Sequence, residues 1–171
     1  MSKEPKLSAT KLRPVQHLLP GEGPAIWASG DTYTFKSTGR DTEGQLTVFE
    51  ADIPPGGGPP PHVHHDADEA YYLLEGELEV LDGERTFTAR AGDYVYIPRG
   101  RLHRFQNVGE GNSRMLVLFT PAGFENFLFE VGLPARPGET PPPVGPEEIA
   151  RAVRAAPKHH LELRLPELER S

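Results

Sequence analysis

Three histidines and one glutamate in this chain stand at spacings that can hold a metal ion. His62 and His64 are two residues apart, so on an extended strand both side chains point to the same face. Glu69 follows a short polar link, His65 to Asp68, and can return from the next strand as an oxygen ligand. His103 can close the set from a later hairpin. Three imidazoles and a carboxylate suit one divalent ion per chain, with Fe, Mn, Ni, Co, Cu and Zn all compatible, and leave an octahedral ion room for substrate. The single carboxylate leaves such an ion with a net charge of about +1, enough to bind an anionic oxygen chelate such as a deprotonated hydroxyketone and polarise it.

Positioning these residues is work for short strands. Thr32 to Ser37 reads as the first strand, and Leu46 to Ile53 as a second that is apolar on both faces. The Pro and Gly run from Pro54 to Pro61 cannot join a central ladder and forms a stiff lead-in to His62. Glu69 to Leu74 places Glu69, Tyr71 and Leu73 on one face. Glu77 to Leu81 turns at Asp82-Gly83, a strong hairpin signal, into Arg85 to Ala89. Tyr94 to Ile97, Leu102 to Val108 and Met115 to Thr120 complete the strands, with His103, Phe105 and Asn107 sharing a face. The period then changes: Phe124, Phe127, Leu128 and Val131 fall at helical spacing and stop at Gly132. A second helix is expected over Pro146 to Ala156. Leu161, Leu163 and Leu165 alternate with charges, as a late edge strand or an arm laid on another subunit. Val15 to Ile26 is punctuated by Pro and Gly and predicts no element.

Composition narrows the function classes. With 18 Lys and Arg against 25 Asp and Glu the net charge is −7, which argues against nucleic acid as partner. The clustered Lys3, Lys6 and Lys11 sit in a polar arm. Absence of cysteine excludes disulfides and thiolate sites, and no apolar stretch approaches a membrane span. The N-terminus lacks a signal-peptide core, so a cytoplasmic location is expected.

The two stretches Gly56, His62, His64, Glu69, Gly76 and Gly92, Pro98, Gly100, His103, Asn107 resemble, position for position, the two motifs of the cupin superfamily. That resemblance covers about a third of the chain, and Pro121 to Gly132 resembles the single-domain quercetin 2,3-dioxygenase-like cupins of bacteria. It implies an all-β fold, a double-stranded β-helix or jelly roll with short C-terminal helices. The expected divisions are an N-terminal arm over 1–30, the barrel over 31–121 and a helical extension and tail over 122–171.

Cupin likeness further implies His62, His64, Glu69 and His103 as ligands, with Glu69 also the base that takes the substrate hydroxyl proton. The expected activity is a metal-dependent dioxygenase acting with O2 on a flavonol-like or other enolisable aromatic or polyketide substrate. A non-oxidative isomerase, lyase or cyclase and a non-catalytic binding barrel are the alternatives, and the complete ligand set argues against the last. A homodimer is expected, with no nucleic acid and no membrane as partner.

Strand parity points Tyr71, Leu73 and Phe105 into the barrel as substrate-binding candidates, with Phe49 and Ile53 as further ones. The Phe124 and Phe127 helix resembles the segment that caps the barrel mouth, although a core stripe is the commoner role for such spacing. Gly56, Gly76, Gly92, Pro98 and Gly100 serve turns, and Asn107 the barrel wall. His65 faces away from the ligands, and His17, His159 and His160 are expected to face solvent.

Overall fold

Burial at every second position sets the architecture. In Asp31–Ser37 (β2) the buried side chains are Asp31, Tyr33 and Phe35, and in Thr47–Ile53 (β3) they are Thr47, Phe49, Ala51 and Ile53. Strands with this period lay one face on a core and turn the other to water. The structure, a computed structural model, describes residues 13–165; the expected lysine-bearing arm, Met1 to Leu12, lies outside the described residues. Ala25–Ala28 (β1) precedes β2. After β3 come His62–His64 (β4), Asp68–Glu75 (β5), Glu77–Asp82 (β6), Arg85–Arg90 (β7), Tyr94–Ile97 (β8), His103–Gln106 (β9) and Ser113–Thr120 (β10). Leu133–Pro134 (β11) and Leu161–Leu163 (β12) end the series. The helices are Gly39–Thr42 (α1), Phe124–Val131 (α2) and Pro146–Ala155 (α3), the last continued by a 3-10 turn over Ala156–His159.

Two antiparallel sheets result, ordered β11-β1-β2-β3-β10-β5-β8 and β12-β4-β9-β6-β7. Their inner faces enclose one core, with Phe35, Ile53, Tyr71, Leu73, Met115 and Val117 from the first sheet and Leu78, Val80 and Phe105 from the second. Each such side chain contributes roughly 1.5–3 kcal/mol by leaving water. This is the jelly roll that the strand pattern predicts.

Three details depart from the sequence reading. β3 alternates rather than being apolar on both faces, because Glu50 and Asp52 point outward and Leu46 lies outside the strand. The segment read as punctuation runs into β1 at its last two residues, Ala25 and Ile26, and Ser29 and Gly30, at φ 56° and 79°, make a tight turn that returns β1 as β2. The sheets therefore take in residues on both sides of 31–121. α1 was not signalled by apolar periodicity; it is held by a capping box between Thr38 and Asp41. Of the two readings of the tail, Leu161–Leu163 takes the first, an edge strand paired with its own chain's β4.

Candidate metal centre

β4 and β9 are neighbours in one sheet, and His62 is the cross-strand partner of His103, so their ring centroids lie 4.3 Å apart. His64, two residues along β4, turns to the same side. Glu69 arrives from the opposite sheet on β5, held between Ile97 of β8 and Phe119 of β10. All four are buried, and one ligand atom from each lies within 4.8 Å of the others. Turns fix these strands. The Arg99 backbone N–H and Nε–H both donate to Asp68 Oδ1 at 3.0 Å, tying the loop before β9 to the start of β5. Gly100 N–H donates to His64 O at 2.7 Å. Asn107 Nδ2 donates to Ile53 O at 2.7 Å and to Gly111 O at 2.8 Å, which is the wall role expected of it.

The donor set fits a divalent cation. His62 and His103 place Nδ1 2.8 Å from Pro60 O and Arg101 O, which leaves Nε2 of each for the centre. His64 Nε2 is buried with no hydrogen-bond partner, and lies 3.4 Å from Glu69 Oε2. A buried nitrogen left this way is costly, and a cation at Nε2 removes the cost. Burial, then the neighbouring His103 and His64, push His62 well below the ordinary imidazole range, so it stays neutral as a ligand must. Burial alone would raise the Glu69 carboxyl, but the hydrogen bond with His103 and the nearby His64 ring more than reverse this and hold it well below the usual range. Burial likewise works against a charge on His103, whose pKa nevertheless rises because Glu69 Oε2 stands 2.8 Å from its Nε2. A metal at that nitrogen would take the place of the proton.

Beside the ligands lies a cavity of about 70 Å³ walled by Phe49, Phe124, Phe127, Leu128, Leu161 and Leu163. The His64 ring stands edge-on to Phe119 and Phe124, with centroids 4.9 and 4.5 Å apart. Among the expected substrate-binding residues, Phe124 and Phe127 line this cavity. Tyr71, Leu73 and Phe105 share the inward face but do not line it; they pack in the core, with the Tyr71 hydroxyl buried next to Glu69. Ile53 is also core, while Phe49 reaches the cavity. His65 is exposed and pairs with Glu162 at 3.0 Å. His17 and His160 are exposed, whereas His159 is half-buried, pairing with Glu130 at 2.8 Å with its ring against Phe127. The sequence reading gave no site role to Asp31, Tyr33, Ala152, Leu161 or Leu163. Tyr33 shows only as a position within the strand read over Thr32 to Ser37, and the others are brought in by long-range closure.

The fold and ligand set define a cupin. Residues 49–119 match the family described as the cupin domain, and the chain belongs to the cupin superfamily. It is 32% identical over 114 residues to quercetin 2,3-dioxygenase of Bacillus subtilis, covering 67% of this chain and 34% of that protein. It is 38% identical over 89 residues to an oxalate oxidase of Triticum aestivum, covering 47% of this chain and 39% of the other. The chain thus spans little more than a third of the length of these relatives. Among solved structures, the polyketide cyclase RemF of Streptomyces resistomycificus superposes with a TM-score of 0.56 at 24% identity, over 63% of this chain and 80% of that one. That likeness speaks for the fold.

Proposed function

We propose that this cupin is a divalent-metal-dependent dioxygenase that acts on an enolisable hydroxyketone or diketone. The observation that carries the reading is a buried three-histidine, one-glutamate centre opening onto an apolar cavity with aromatic walls. When bound, a divalent ion would supply a site for an enolate oxygen and, if redox-active, electron density for O2. Charge separates the two kinds of chemistry named among the relatives. Three neutral imidazoles and one carboxylate leave about one positive charge, which matches a monoanionic enolate. A dianion such as oxalate needs a further cation, and no Lys or Arg among the described residues lines the cavity. Glu69 is the base that takes the substrate hydroxyl proton, and Phe124 and Phe127 pack on the apolar body of the substrate.

Size refines the substrate. Ligand pockets for drug-sized molecules run to roughly 300–1,000 Å³, so 70 Å³ takes a compact chelating fragment rather than three fused rings. A flavonol reaches the ligands only if β12 or α2 moves outward. The test is O2 uptake by protein loaded in turn with Fe(II), Mn(II), Co(II), Ni(II) and Zn(II) and offered small and flavonol-sized hydroxyketones. Metal-dependent uptake with both oxygen atoms in the product supports the reading. Conversion of substrate without O2 uptake replaces it with a non-oxidative isomerase, lyase or cyclase.

The protein also acts as a homodimer in this proposal. Tyr72 faces its register partner Tyr94 on the outer side of the sheet, and Tyr96 follows on β8, whose far edge is unpaired among the described residues. Such a flat aromatic edge is suited to a two-fold copy of itself. Light scattering giving a monomer mass of 18.8 kDa rejects it.

A further inference from the structure

Tyr33 lines the same cavity as His62, His64 and Glu69, and two residues before it on β2 lies Asp31. Strand parity turns both inward. The Tyr33 hydroxyl is 3.0 Å from Asp31 Oδ2, while Asp31 Oδ1 is fully buried without a hydrogen-bond partner. The surroundings are shaped to let this carboxyl sit there. A Cβ on Gly57 would come within 2.5 Å of Oδ1, so only glycine allows the approach, and the Gly58 N–H lies alongside. No described Lys or Arg pairs with Asp31. The acid facing it is Glu148 of α3, which accepts the Ser29 N–H at 2.7 Å, and Glu69 and Tyr71 of β5 stand on the side of Tyr33. A buried carboxyl with no cation beside it is costly to keep for packing alone, because an apolar side chain fills such a volume at lower cost.

We propose that Asp31 and Tyr33 form a proton relay into the metal cavity, with the Tyr33 hydroxyl touching the bound ligand and Asp31 acting behind it as a buried proton reservoir. This rests on the reading of the cavity as an enolate site. Burial pushes the Asp31 carboxyl up to about 8, with the Tyr33 hydroxyl and Gly58 N–H drawing it down and Glu148 adding to the rise. Burial and then Asp31 raise the Tyr33 hydroxyl well above its ordinary range. Near neutrality both groups therefore carry their protons. With a proton on Oδ2, Asp31 donates across the 3.0 Å contact and the Tyr33 O–H is free to point at the ligand. When a ligand oxygen takes the Tyr33 proton, the Asp31 proton passes to the Tyr33 oxygen. One O–H bond breaks and one forms at each transfer, and the net change is one proton moved from Asp31 to the ligand. The reverse shift restores the pair on release.

The experiment has two readouts. Infrared difference spectra of the metal-free chain compare wild type with Asp31→Asn. The protonated-carboxyl C=O band should be present in wild type at pH 7, fade through about pH 8 and be absent in the variant. Separately, Zn(II)-loaded protein is titrated with maltol, a small hydroxyketone, without turnover. Tyr33→Phe should weaken maltol binding about tenfold, the scale of one hydrogen bond to a charged group. Asp31→Asn should abolish the fall in affinity above pH 8, with Zn(II) stoichiometry and thermal melting showing that both variants fold. Absence of the carboxyl band, or maltol affinity and pH profile unchanged by Tyr33→Phe, overturns the relay. If maltol fails to bind loaded wild type, the enolate reading fails, and the infrared band then shows separately whether Asp31 is the buried acid described.

Discussion

Leu161 and His64 face each other across the β12–β4 pair, so a strand almost a hundred residues downstream closes over the one that carries two metal ligands. The pairing is anchored at both ends, by His65 N–H to His160 O at 2.9 Å and Arg164 N–H to Pro61 O at 2.8 Å. Leu161 and Leu163 thereby become cavity walls. Leu161→Ala should lower stability by about 2–4 kcal/mol through lost burial and the space left behind. It should also raise the affinity of Zn(II)-loaded protein for 3-hydroxyflavone relative to maltol. Denaturant melts and paired titrations check this, and an unchanged ratio would show that Leu161 does not limit ligand size.

Metal should act as a folding ligand. At a free concentration one hundred times its dissociation constant, an ion that binds only the folded chain adds about 2.7 kcal/mol. Zn(II) should therefore raise the melting temperature and EDTA should reverse the rise. His64→Ala should lose most of the shift, because it removes a buried imidazole Nε2 left without a hydrogen-bond partner. An equal shift in the variant would place the ion elsewhere.

The pH dependence of stability should carry the signature of Asp31. Its folded pKa of about 8 exceeds the ordinary carboxyl value of 3.8, so the folded chain holds the extra proton between the two. Stability then falls as pH rises from about 4 towards about 8, by up to roughly 1.4 kcal/mol per pH unit, and levels off above. Asp31→Asn should flatten this slope in melts between pH 5 and 9. Parallel curves for the two proteins would mean that the acid is not held protonated.

Arg99 is exposed, so water screens its contact with Asp68 and the pair adds little to global stability. Its value lies in pinning the loop before His103 to the strand start before Glu69. Arg99→Ala should leave denaturant midpoints nearly unchanged while speeding Zn(II) release to a chelator. Equal release rates would remove the loop from the account.

Much of the centre was legible in the chain itself. The separation of His62 and His64 by one residue fixes a shared face whatever the surroundings, and the turn residues around them mark where strands must reverse. Parity also placed Tyr71, Leu73 and Phe105 on the inner face. What parity does not give is depth along the barrel: the ligands cluster towards one end, so residues on the same face pack as core away from the cavity. Asp31 was hidden because an acid beside Gly30 reads as turn chemistry, and its burial depends on the approach of Gly57 from a distant segment. The walls from Leu161 and Leu163 depend on a pairing with β4 that no local pattern encodes.

His62, His64, Glu69 and His103 together build a buried metal centre. Metal content after equilibrium dialysis against Zn(II), Mn(II) or Fe(II), measured on wild type and His103→Ala of matched fold, tests it most directly. One divalent ion per wild-type chain is expected, and little in the variant. No bound ion in wild type, or the same ion content in both proteins, would contradict it.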